Sequence, residues 1–463
     1  MVANGSAGTG SVDLGAAEEP VEIGSRLEMF VDRLLVDRLT GVECRLHHPQ
    51  KLPLAASPLV GWYATVIKDG DLYRAYYRWL DPSFTGKTDY SGHPGEVTCY
   101  AESQDGHEWT FPVLGLCTVA GTDQNNVIMA GKMPFCHNLS PFLDTRPGVC
   151  ADERFKALAG HPGHDRATCG HGLHAFFSAD GIHWSEPSEE GVIPFDMSWP
   201  HAFDSQNVSF WSEVEQQYVC YFRTWQTKHG QLRTISRTTS PDFRHWSEPI
   251  PMDPNLPGEH LYTSQTQPYY RNPALYIALP TRFQPGRGDS TDILFMTTRA
   301  GSTSYERLFA EAFIRPGLDP ERWGNRSNYT ALNVVSTGPA EMSIYHAKSG
   351  HRYVLRPDGF ASIQAGIAEG ELLTKPVLFE GDTLVLNYST SAAGSLRVEL
   401  QDPAGNPLPG FALDDCSPIV GDRIDGPATW EGNPDLRALA GTPVRLRFVM
   451  TECDLYSFRF VEP

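Results

Sequence analysis

The sequence predicts an all-β protein, because strand-like segments follow one another almost without helical periodicity and because the composition suits short strands joined by turns. The chain has 463 residues, among them 23 Phe, 18 Tyr and 10 Trp, together with 42 Gly and 36 Pro. Aromatic residues favour strands, whereas Gly and Pro favour the turns between them. The length suits about two or three domains, and the segments divide into a long repetitive region and a shorter C-terminal one.

A short motif, S-x-D-x-x-x-W, closes the third strand of successive units in the repetitive region. Its three copies end at Trp109, Trp184 and Trp246, and segments 298–301 and 356–360 are degenerate fourth and fifth copies. We expect Ser and Asp to close each turn onto backbone N–H groups and Trp to pack between neighbouring units. Five such units predict a five-bladed β-propeller over residues 25–370.

The first strand of each blade is predicted to begin near Trp62, His137, Asp204, His260 and Glu341. In a propeller the first strands line the central channel, so these five positions are expected to converge on the axis. A functional site is therefore expected where they meet.

Two further regions flank the predicted propeller. Segments such as 384–390 and 444–450 alternate apolar and polar residues between Gly, Pro and Asp turns, which is typical of an antiparallel sandwich. We therefore place an accessory β-sandwich at residues 371–463. Residues 1–24 are rich in Gly, Ala and Ser, and we expect this segment to be a disordered tail.

Charge and cysteine content limit the classes of partner and the compartment. The chain carries 37 Lys and Arg against 56 Asp and Glu, a formal net charge of −19. Such a surface repels phosphate backbones and anionic membranes, so neither nucleic acid nor a membrane is expected as a partner. The nine Cys are scattered without a CxxC pair and the sequence shows no signal peptide, which predicts a cytoplasmic location. Oligomeric state is not readable from the sequence.

Five units, S-x-D-G-x-x-W endings and a C-terminal sandwich occur together in this sequence. In these features it resembles the five-bladed propeller glycosidases of the invertase, levansucrase and arabinanase type. More narrowly, it resembles an uncharacterised bacterial invertase-like branch. The segments that carry the narrower likeness are 203–207, 260–263, 313–320, 340–345 and 386–395.

The resemblance implies a glycoside hydrolase with its active site in a funnel at the propeller axis. There one carboxylate acts as nucleophile or general base and another as general acid. Two invertase-type motifs, W-x-N-D-P-x-G in blade 1 and R-D-P in blade 2, are missing: WYAT stands at 62–65 and HNLS at 137–140. No catalytic residue is carried over from those motifs.

Three carboxylates remain near the predicted axial ends of blades 3, 4 and 5. Asp204 is our candidate base or nucleophile, and Glu341 is our candidate acid because it begins the last predicted blade. Glu259 lies one residue before a predicted strand and is held in reserve. Each also has an ordinary structural alternative: a turn cap for Asp204, a salt bridge for Glu341 and a solvated loop for Glu259.

We expect the enzyme to release a terminal furanose or pyranose unit from a carbohydrate by exo cleavage and to require no cofactor. Polar and aromatic side chains at the strand starts are candidates for binding this carbohydrate. These candidates are His137, Asn138, Gln206, Asn207, His260, Thr263, Gln265 and Trp62.

Two alternative functions stay open. A divalent metal at the axis, held by His137, His201, His260 or His346, would indicate a metal-assisted lyase or hydrolase. The missing carboxylates of blades 1 and 2 would instead suit a non-catalytic carbohydrate-binding propeller.

Overall fold

The computed structural model describes residues 19–160, 172–195, 202–225, 227–433 and 435–462. They divide into two compact units, one formed by residues 31–33 and 44–362 and the other by 19–30, 34–43 and 363–462. Strands dominate both units. The helical elements of the described residues are five short 3₁₀ turns: Phe135–His137, Ala151–Glu153, Pro285–Arg287, Pro320–Arg322 and Arg437–Leu439. Among the described residues, no helix has the length and apolar character needed to span a membrane.

The first unit contains five successive antiparallel sheets whose inner strands lie side by side in a ring, which confirms the predicted all-β propeller. We number the sheets as blades 1 to 5 in chain order. Blade 4 has three strands and is accompanied by a small sheet of three more.

From inner to outer strand, blade 1 is Trp62–Asp69, Leu72–Leu80, Glu96–Ser103 and Val127–Met129; blade 2 is Ser140–Leu143, Phe155–Ala159, Gly172–Ser178 and Ile193–Pro194; blade 3 is Val208–Ser212, Gln217–Thr224, Thr234–Ser240 and Ile250–Pro251. Blade 4 is Thr266–Tyr269, Asn272–Ala278 and Met296–Arg299, with its companion sheet of His260–Leu261, Thr281–Gln284 and Ser290–Ile293; blade 5 is Val335–Gly338, Glu341–His346, His351–Leu355 and Gln50–Lys51.

Blade 5 departs from the prediction by one strand. Its inner strand is Val335–Gly338, and Glu341–His346 is the second strand, paired with the first through a tight hairpin. The Gly-Pro-Ala turn that precedes Glu341 therefore lies inside the blade and not before it. The outermost strand, Gln50–Lys51, comes from the N-terminal side of blade 1 and pairs with His351–Leu355, which joins the two ends of the propeller chain.

The S-x-D turns form the hydrogen bonds that the motif predicts. In blade 2, the Ser178 hydroxyl accepts a bond from Gly181 N at 2.9 Å, and an Asp180 oxygen accepts from the N–H groups of Ile182 and His183, each at 2.8 Å. Trp184 then packs edge-on against Tyr76 of blade 1, with ring centroids 6.2 Å apart. The motif thus closes a turn and supplies contact between neighbouring blades.

The second unit is built around a bent antiparallel sheet in which two long strands, Thr383–Gln401 and Arg445–Val461, pair along most of their length. Bulges at Asn387/Tyr388 and Thr390/Ser395 allow the bend. The other strands of this sheet are Val36–Thr40, Gly370–Thr374, Ala361–Ala365, Val42–Leu46, Glu28–Met29 and Asp422–Pro427. Leu386, Leu396, Val398 and Phe448 are fully buried in its core, as expected for the predicted sandwich.

The boundaries of the units differ from those predicted. Val21–Gly24, placed in the tail by composition, is a strand that pairs with Val377–Phe379, and Val36–Thr40 pairs with Gly370–Thr374. Residues 19–30 and 34–43 therefore belong to the sandwich unit and not to the propeller. These pairings join segments more than 300 residues apart, a distance over which local sequence patterns carry no signal.

Candidate functional site

The segments that lead into the inner strands enclose a cavity of about 210 Å³, which we call the axial cavity. It is lined by residues from blades 1, 2, 4 and 5: Gly61, Trp62, Tyr63, Ala64, Arg78, Ser91, His137, Tyr262, Asn325, Arg326, Tyr329, Thr330, Ala347 and Lys348. A neighbouring cleft of about 320 Å³ shares Trp62, Arg78, Ser91 and His137 with it and extends along the 88–93 loop. Of the five predicted strand starts, Trp62 and His137 line this cavity.

A carboxylate, an imidazole and a second carboxylate form a continuous chain beside this cavity, and the imidazole is the member that lines it. His137 ends the 3₁₀ turn Phe135–His137, and its Nδ1 lies 2.9 Å from an oxygen of Glu96. Its Nε2 lies 3.3 Å from an oxygen of Asp204, which precedes the inner strand of blade 3. Glu96 and His137 are buried, whereas the Asp204 side chain keeps 21 % of its surface exposed. Asp204 is thus the solvent-facing end of the chain.

Arginines hold both ends of this chain. Arg223 Nη2 lies 2.8 Å from the second oxygen of Asp204, and Arg78 Nη1 lies 3.4 Å from Glu96. Burial acts to raise the pKa of Glu96, but the hydrogen bond with His137 and the charge of Arg78 outweigh it and hold that pKa below its ordinary value. Burial acts to lower the pKa of Arg223, and Asp204 outweighs it and raises that pKa. Glu96 is therefore a carboxylate, and Arg223 a guanidinium, at neutral pH.

Three tyrosines surround the axial cavity and pack edge-to-face. The ring of Tyr329 lies 6.1 Å from that of Tyr63 and 5.7 Å from that of Tyr262, and Tyr63 also meets His137 at 5.5 Å. Burial, followed by neighbouring tyrosines, raises the pKa of Tyr63 and Tyr329 well above the ordinary value. Both hydroxyls are therefore neutral hydrogen-bond donors. Tyr63 has φ of 47°, a left-handed conformation that bulky residues rarely adopt and that tends to mark functional positions.

Two of the eight predicted sugar-binding residues, Trp62 and His137, line the axial cavity. Trp62 packs against Trp79 at 5.0 Å, and the Arg78 guanidinium lies 6.0 Å from its ring. A flat ring beside an open cavity suits stacking on the apolar face of a sugar.

Five of the predicted sugar-binding side chains are instead buried and bonded to other parts of the propeller, so the structure does not place them where a sugar can reach. Each is at most 2 % exposed: Asn138, Gln206, Asn207, Thr263 and Gln265. The Asn138 amide donates to the carbonyls of Gly160, Phe203 and Ser205. Gln265 donates to the Gln206 side chain at 2.7 Å and to the Thr330 carbonyl at 2.8 Å. These side chains hold adjacent blades together at the axis.

His260 and Glu259 lie outside the lining of the axial cavity. His260 Nδ1 accepts a hydrogen bond from the Arg233 backbone at 3.2 Å, and burial followed by the Arg233 charge lowers its pKa. Glu259 is 5 % exposed, accepts from Leu256 N and is ion-paired with Arg307. Glu259 is therefore a structural carboxylate and not the reserve acid.

Glu341 is likewise far from its predicted place. It begins the second strand of blade 5, opposite Gly338 at the distal end of the inner strand, whereas Asp204 and His137 precede inner strands. Its oxygen lies 2.6 Å from Arg352 and 2.7 Å from the Thr337 hydroxyl. Burial acts to raise the pKa of Glu341, but these two partners outweigh it and lower that pKa. The expectation that Glu341 faces the channel beside Asp204 is wrong.

The candidate metal ligands do not gather in the part of the chain that is described. His346 is buried, and burial followed by the charge of Arg322 lowers its pKa to about 3. His201 lies outside the described residues. Within the described residues there is no group of three or more His, Cys, Asp or Glu side chains placed to hold a metal ion.

Arg78, Glu96 and the three cavity tyrosines were not among the predicted site residues. Arg78 lies on the second strand of blade 1 opposite Trp62, at the start of the inner strand, and Glu96 lies on the third strand opposite Leu80, beyond that start. Tyr63 was within reach of sequence reasoning, because it directly follows Trp62 at a predicted strand start.

A larger cavity, of about 500 Å³, lies along the distal parts of the five inner strands. Val66, Phe142, Phe210, Pro268 and Val334 give it a mostly apolar wall. The charged residues of its described lining are Lys68 and Glu213, whereas the axial cavity combines a histidine, three tyrosines and three cationic side chains.

No protein-family model matches the chain, and no curated protein does. Among solved structures, it is similar to a family 43 arabinoxylan arabinofuranohydrolase from Bacillus subtilis, with 12 % identity, 88 % of this chain and 97 % of that chain covered, and a TM-score of 0.41. It is also similar to a β-1,2-mannobiose phosphorylase from Listeria innocua, with 10 % identity, 66 % and 92 % covered, and a TM-score of 0.44. A third similar structure is an endo-arabinase from Bacteroides thetaiotaomicron, with 10 % identity, 65 % of this chain and 96 % of that chain covered, and a TM-score of 0.40.

Proposed function

We propose that the protein is a glycoside hydrolase that acts on a terminal furanose or pyranose unit, with Asp204 as the carboxylate at the reacting sugar. The observation that carries this proposal is the position of Asp204. Its side chain is partly exposed and is fixed by Arg223 on one oxygen and His137 on the other. The adjoining axial cavity is closed by blades on several sides, and its size suits a single sugar unit, which favours exo over endo cleavage.

Glycosidic cleavage needs a carboxylate that attacks the anomeric carbon or activates water, a general acid that protonates the leaving oxygen, and charge stabilisation of an oxocarbenium-like sugar. Asp204 supplies the first and, as an anion, contributes to the third. The proton for the leaving oxygen must come from a group other than Glu259 or Glu341, since neither lines the axial cavity. Glu96 does not face the cavity directly. It acts through His137: Glu96, Arg78 Nη1 and Gly92 N all meet Nδ1, at 2.9, 2.7 and 3.1 Å, and this fixes the ring with Nε2 towards Asp204. We therefore describe Glu96 as a positioning residue.

The experiment that tests the proposal is a screen of purified protein against nitrophenyl furanosides and pyranosides, sucrose, fructans and arabinans, each with and without EDTA. Turnover that persists in EDTA and is lost in Asp204→Asn supports the carboxylate mechanism and identifies the sugar. Turnover lost to EDTA would instead favour the metal-assisted alternative. Asp204→Asn with wild-type rates would sink the assignment of Asp204.

A second candidate function is a carbohydrate-binding propeller without catalysis. One observation favours it: no Asp or Glu, Asp204 included, occurs among the described residues that line the axial cavity, so no carboxylate lies directly on the cavity wall there. This candidate predicts measurable affinity for a saccharide that is recovered unchanged after long incubation. Any catalysed release of sugar above the Asp204→Asn background excludes it.

A further inference from the structure

The lining of the axial cavity is positively charged, whereas the whole chain is negatively charged. The protein has a net charge of −19, yet the charged residues among the described lining are all cationic: Arg78, Arg326 and Lys348. Arg78 is matched by Glu96. Arg326 and Lys348 therefore supply positive charge that the catalytic carboxylates do not use, on the blade 5 side of the cavity.

Lys348 is the less compensated of these two cations. Its side chain is half-buried, and its ammonium group forms no hydrogen bond or ion pair with any described residue. Burial followed by the charge of Arg326 lowers its pKa. A partly desolvated cation beside another cation costs stability unless a counter-charge arrives, and a ligand in the cavity can provide one.

Arg326 is held beside Lys348 by a strained backbone. Asn325 and Arg326 both adopt left-handed conformations, with φ of 51° and 53°, and their N–H groups donate to the carbonyls of Gly288 and Asp289. Left-handed conformations at two adjacent non-glycine residues are unfavourable. Such strain persists where a side chain must point to a particular place, which here is the wall of the cavity.

The number of charges selects the kind of anion. Asp289 lies 3.6 Å from Arg326 and offsets part of its charge. Lys348, Arg326 and Asp289 together therefore leave a single net positive charge. That charge suits a monoanion such as a carboxylate better than a phosphate dianion, and a planar guanidinium beside an ammonium group matches the two oxygens of a carboxylate.

We propose that the sugar unit bound in the axial cavity carries a carboxylate, so that the ligand is a uronic acid recognised by Lys348 and Arg326. This inference rests on the proposed function, because it names the sugar class of the same site. His137 and Asp204 come from blades 2 and 3, and Lys348 and Arg326 from blade 5. One end of the sugar can thus face Asp204 while its carboxylate meets the two cations.

The test is calorimetric binding of D-glucuronate and D-galacturonate to the wild-type protein, compared with D-glucose, D-galactose and inorganic phosphate at low ionic strength. We expect at least one uronate to bind about tenfold or more tightly than its parent hexose. This is the gain in affinity expected from a charge-assisted hydrogen bond. Lys348→Met should remove that preference, whereas Lys348→Arg should keep part of it. Lys132→Met is the matched control, because Lys132 pairs with Glu186 away from the cavity.

Several outcomes overturn the inference: equal affinity for uronate and hexose, no measurable uronate binding, or phosphate that binds as tightly as uronate, which would mean a general oxyanion site. The wild-type comparison decides the matter even if Lys348→Met fails to fold. The two proposals also fail separately. Uronate binding without turnover of any uronide leaves this inference standing and removes the hydrolase, whereas faster turnover of neutral glycosides than of uronides does the reverse.

Discussion

The imidazole of His137 lies between Glu96 and Asp204, with Nδ1 2.9 Å from one carboxylate and Nε2 3.3 Å from the other. The two carboxylates come from different blades, so this single buried ring connects blade 1 to blade 3 through blade 2. Glu96 is buried and holds the His137 ring in place, whereas Asp204 is partly exposed and meets solvent. We therefore expect Asp204 to act on the substrate and Glu96 to act only through His137.

Asp204→Asn is expected to lower turnover by about 10²-fold or more in a protein that still folds, with a lower unfolding temperature because the buried Arg223 loses its counter-charge. An amide keeps a hydrogen-bond acceptor for Arg223 but can neither attack a sugar nor take up a proton. The measurement is kcat on the best substrate of the glycoside screen, with thermal unfolding in parallel.

The matched control for this variant is Glu341→Gln. Glu341 is paired with Arg352 at the distal end of blade 5, so its replacement should leave kcat unchanged. A large loss of activity in Glu341→Gln together with normal activity in Asp204→Asn would reverse the assignment of the site.

Glu96→Gln should reduce kcat roughly tenfold or more with little change in KM, because the neutral amide holds the His137 ring less firmly than the carboxylate does. A positioning role also predicts a shifted pH–rate profile, which a merely structural role would not produce. Glu102→Gln serves as the control, since Glu102 lies on the same strand and accepts from Tyr100 at 3.1 Å. An unshifted profile with wild-type kcat in Glu96→Gln would contradict the relay.

The fold was predictable wherever short-range hydrogen bonds define it. Ser103, Ser178 and Ser240 each begin a turn whose bonds span three residues or fewer, so the sequence motif contains the whole structural unit. The last blade was misplaced because Val335–Gly338 is short and its hairpin resembles a turn between blades. The closing strand Gln50–Lys51 was missed because its partner lies 300 residues away.

The site was predictable only in part. Trp62, His137 and Asp204 follow from the rule that strand starts converge on a propeller axis. Asn138 and Gln206 obey the same rule, yet their amides satisfy backbone groups of adjacent blades, because buried carbonyls at the axis must find donors. Sequence alone does not reveal which polar residues are used in this way.

Gly181→Ala is expected to destabilise the propeller more than a glycine substitution at a comparable backbone angle elsewhere. Gly181 has φ of +77°, and a Cβ there would lie 2.4 Å from the Tyr76 hydroxyl of blade 1. Overpacking of this kind costs typically about 1–3 kcal/mol, in addition to the cost of the left-handed conformation. Denaturant-induced unfolding measures the difference.

Gly148→Ala isolates the backbone contribution, because Gly148 has φ of +75° and open space around it. Gly181→Ala should exceed Gly148→Ala in lost unfolding free energy. Equal losses would mean that Tyr76 moves aside at no cost and that the contact between blades 1 and 2 does not constrain the motif glycine.

His346 should make the protein less stable as the pH falls. Burial, together with the positive charges of Arg322, His351 and Lys51, lowers its pKa in the folded state to about 3, compared with about 6.5 in an unfolded chain. Between these values the unfolded state binds more protons, so the contribution of this residue is complete above about pH 6.5 and is lost progressively towards pH 3. The slope is at most about 1.4 kcal/mol per pH unit.

The measurement is the free energy of unfolding in denaturant from pH 4 to pH 8, for the wild type and for His346→Gln. The variant should show a shallower dependence on pH below about 6.5, because Gln does not titrate and can still accept from the Ser349 hydroxyl that meets His346 Nδ1 at 2.7 Å. His229→Gln, at an exposed position, should keep the wild-type slope. Parallel curves for the wild type and His346→Gln would show that His346 escapes burial or protonates without cost, and would refute a buried neutral imidazole at this position.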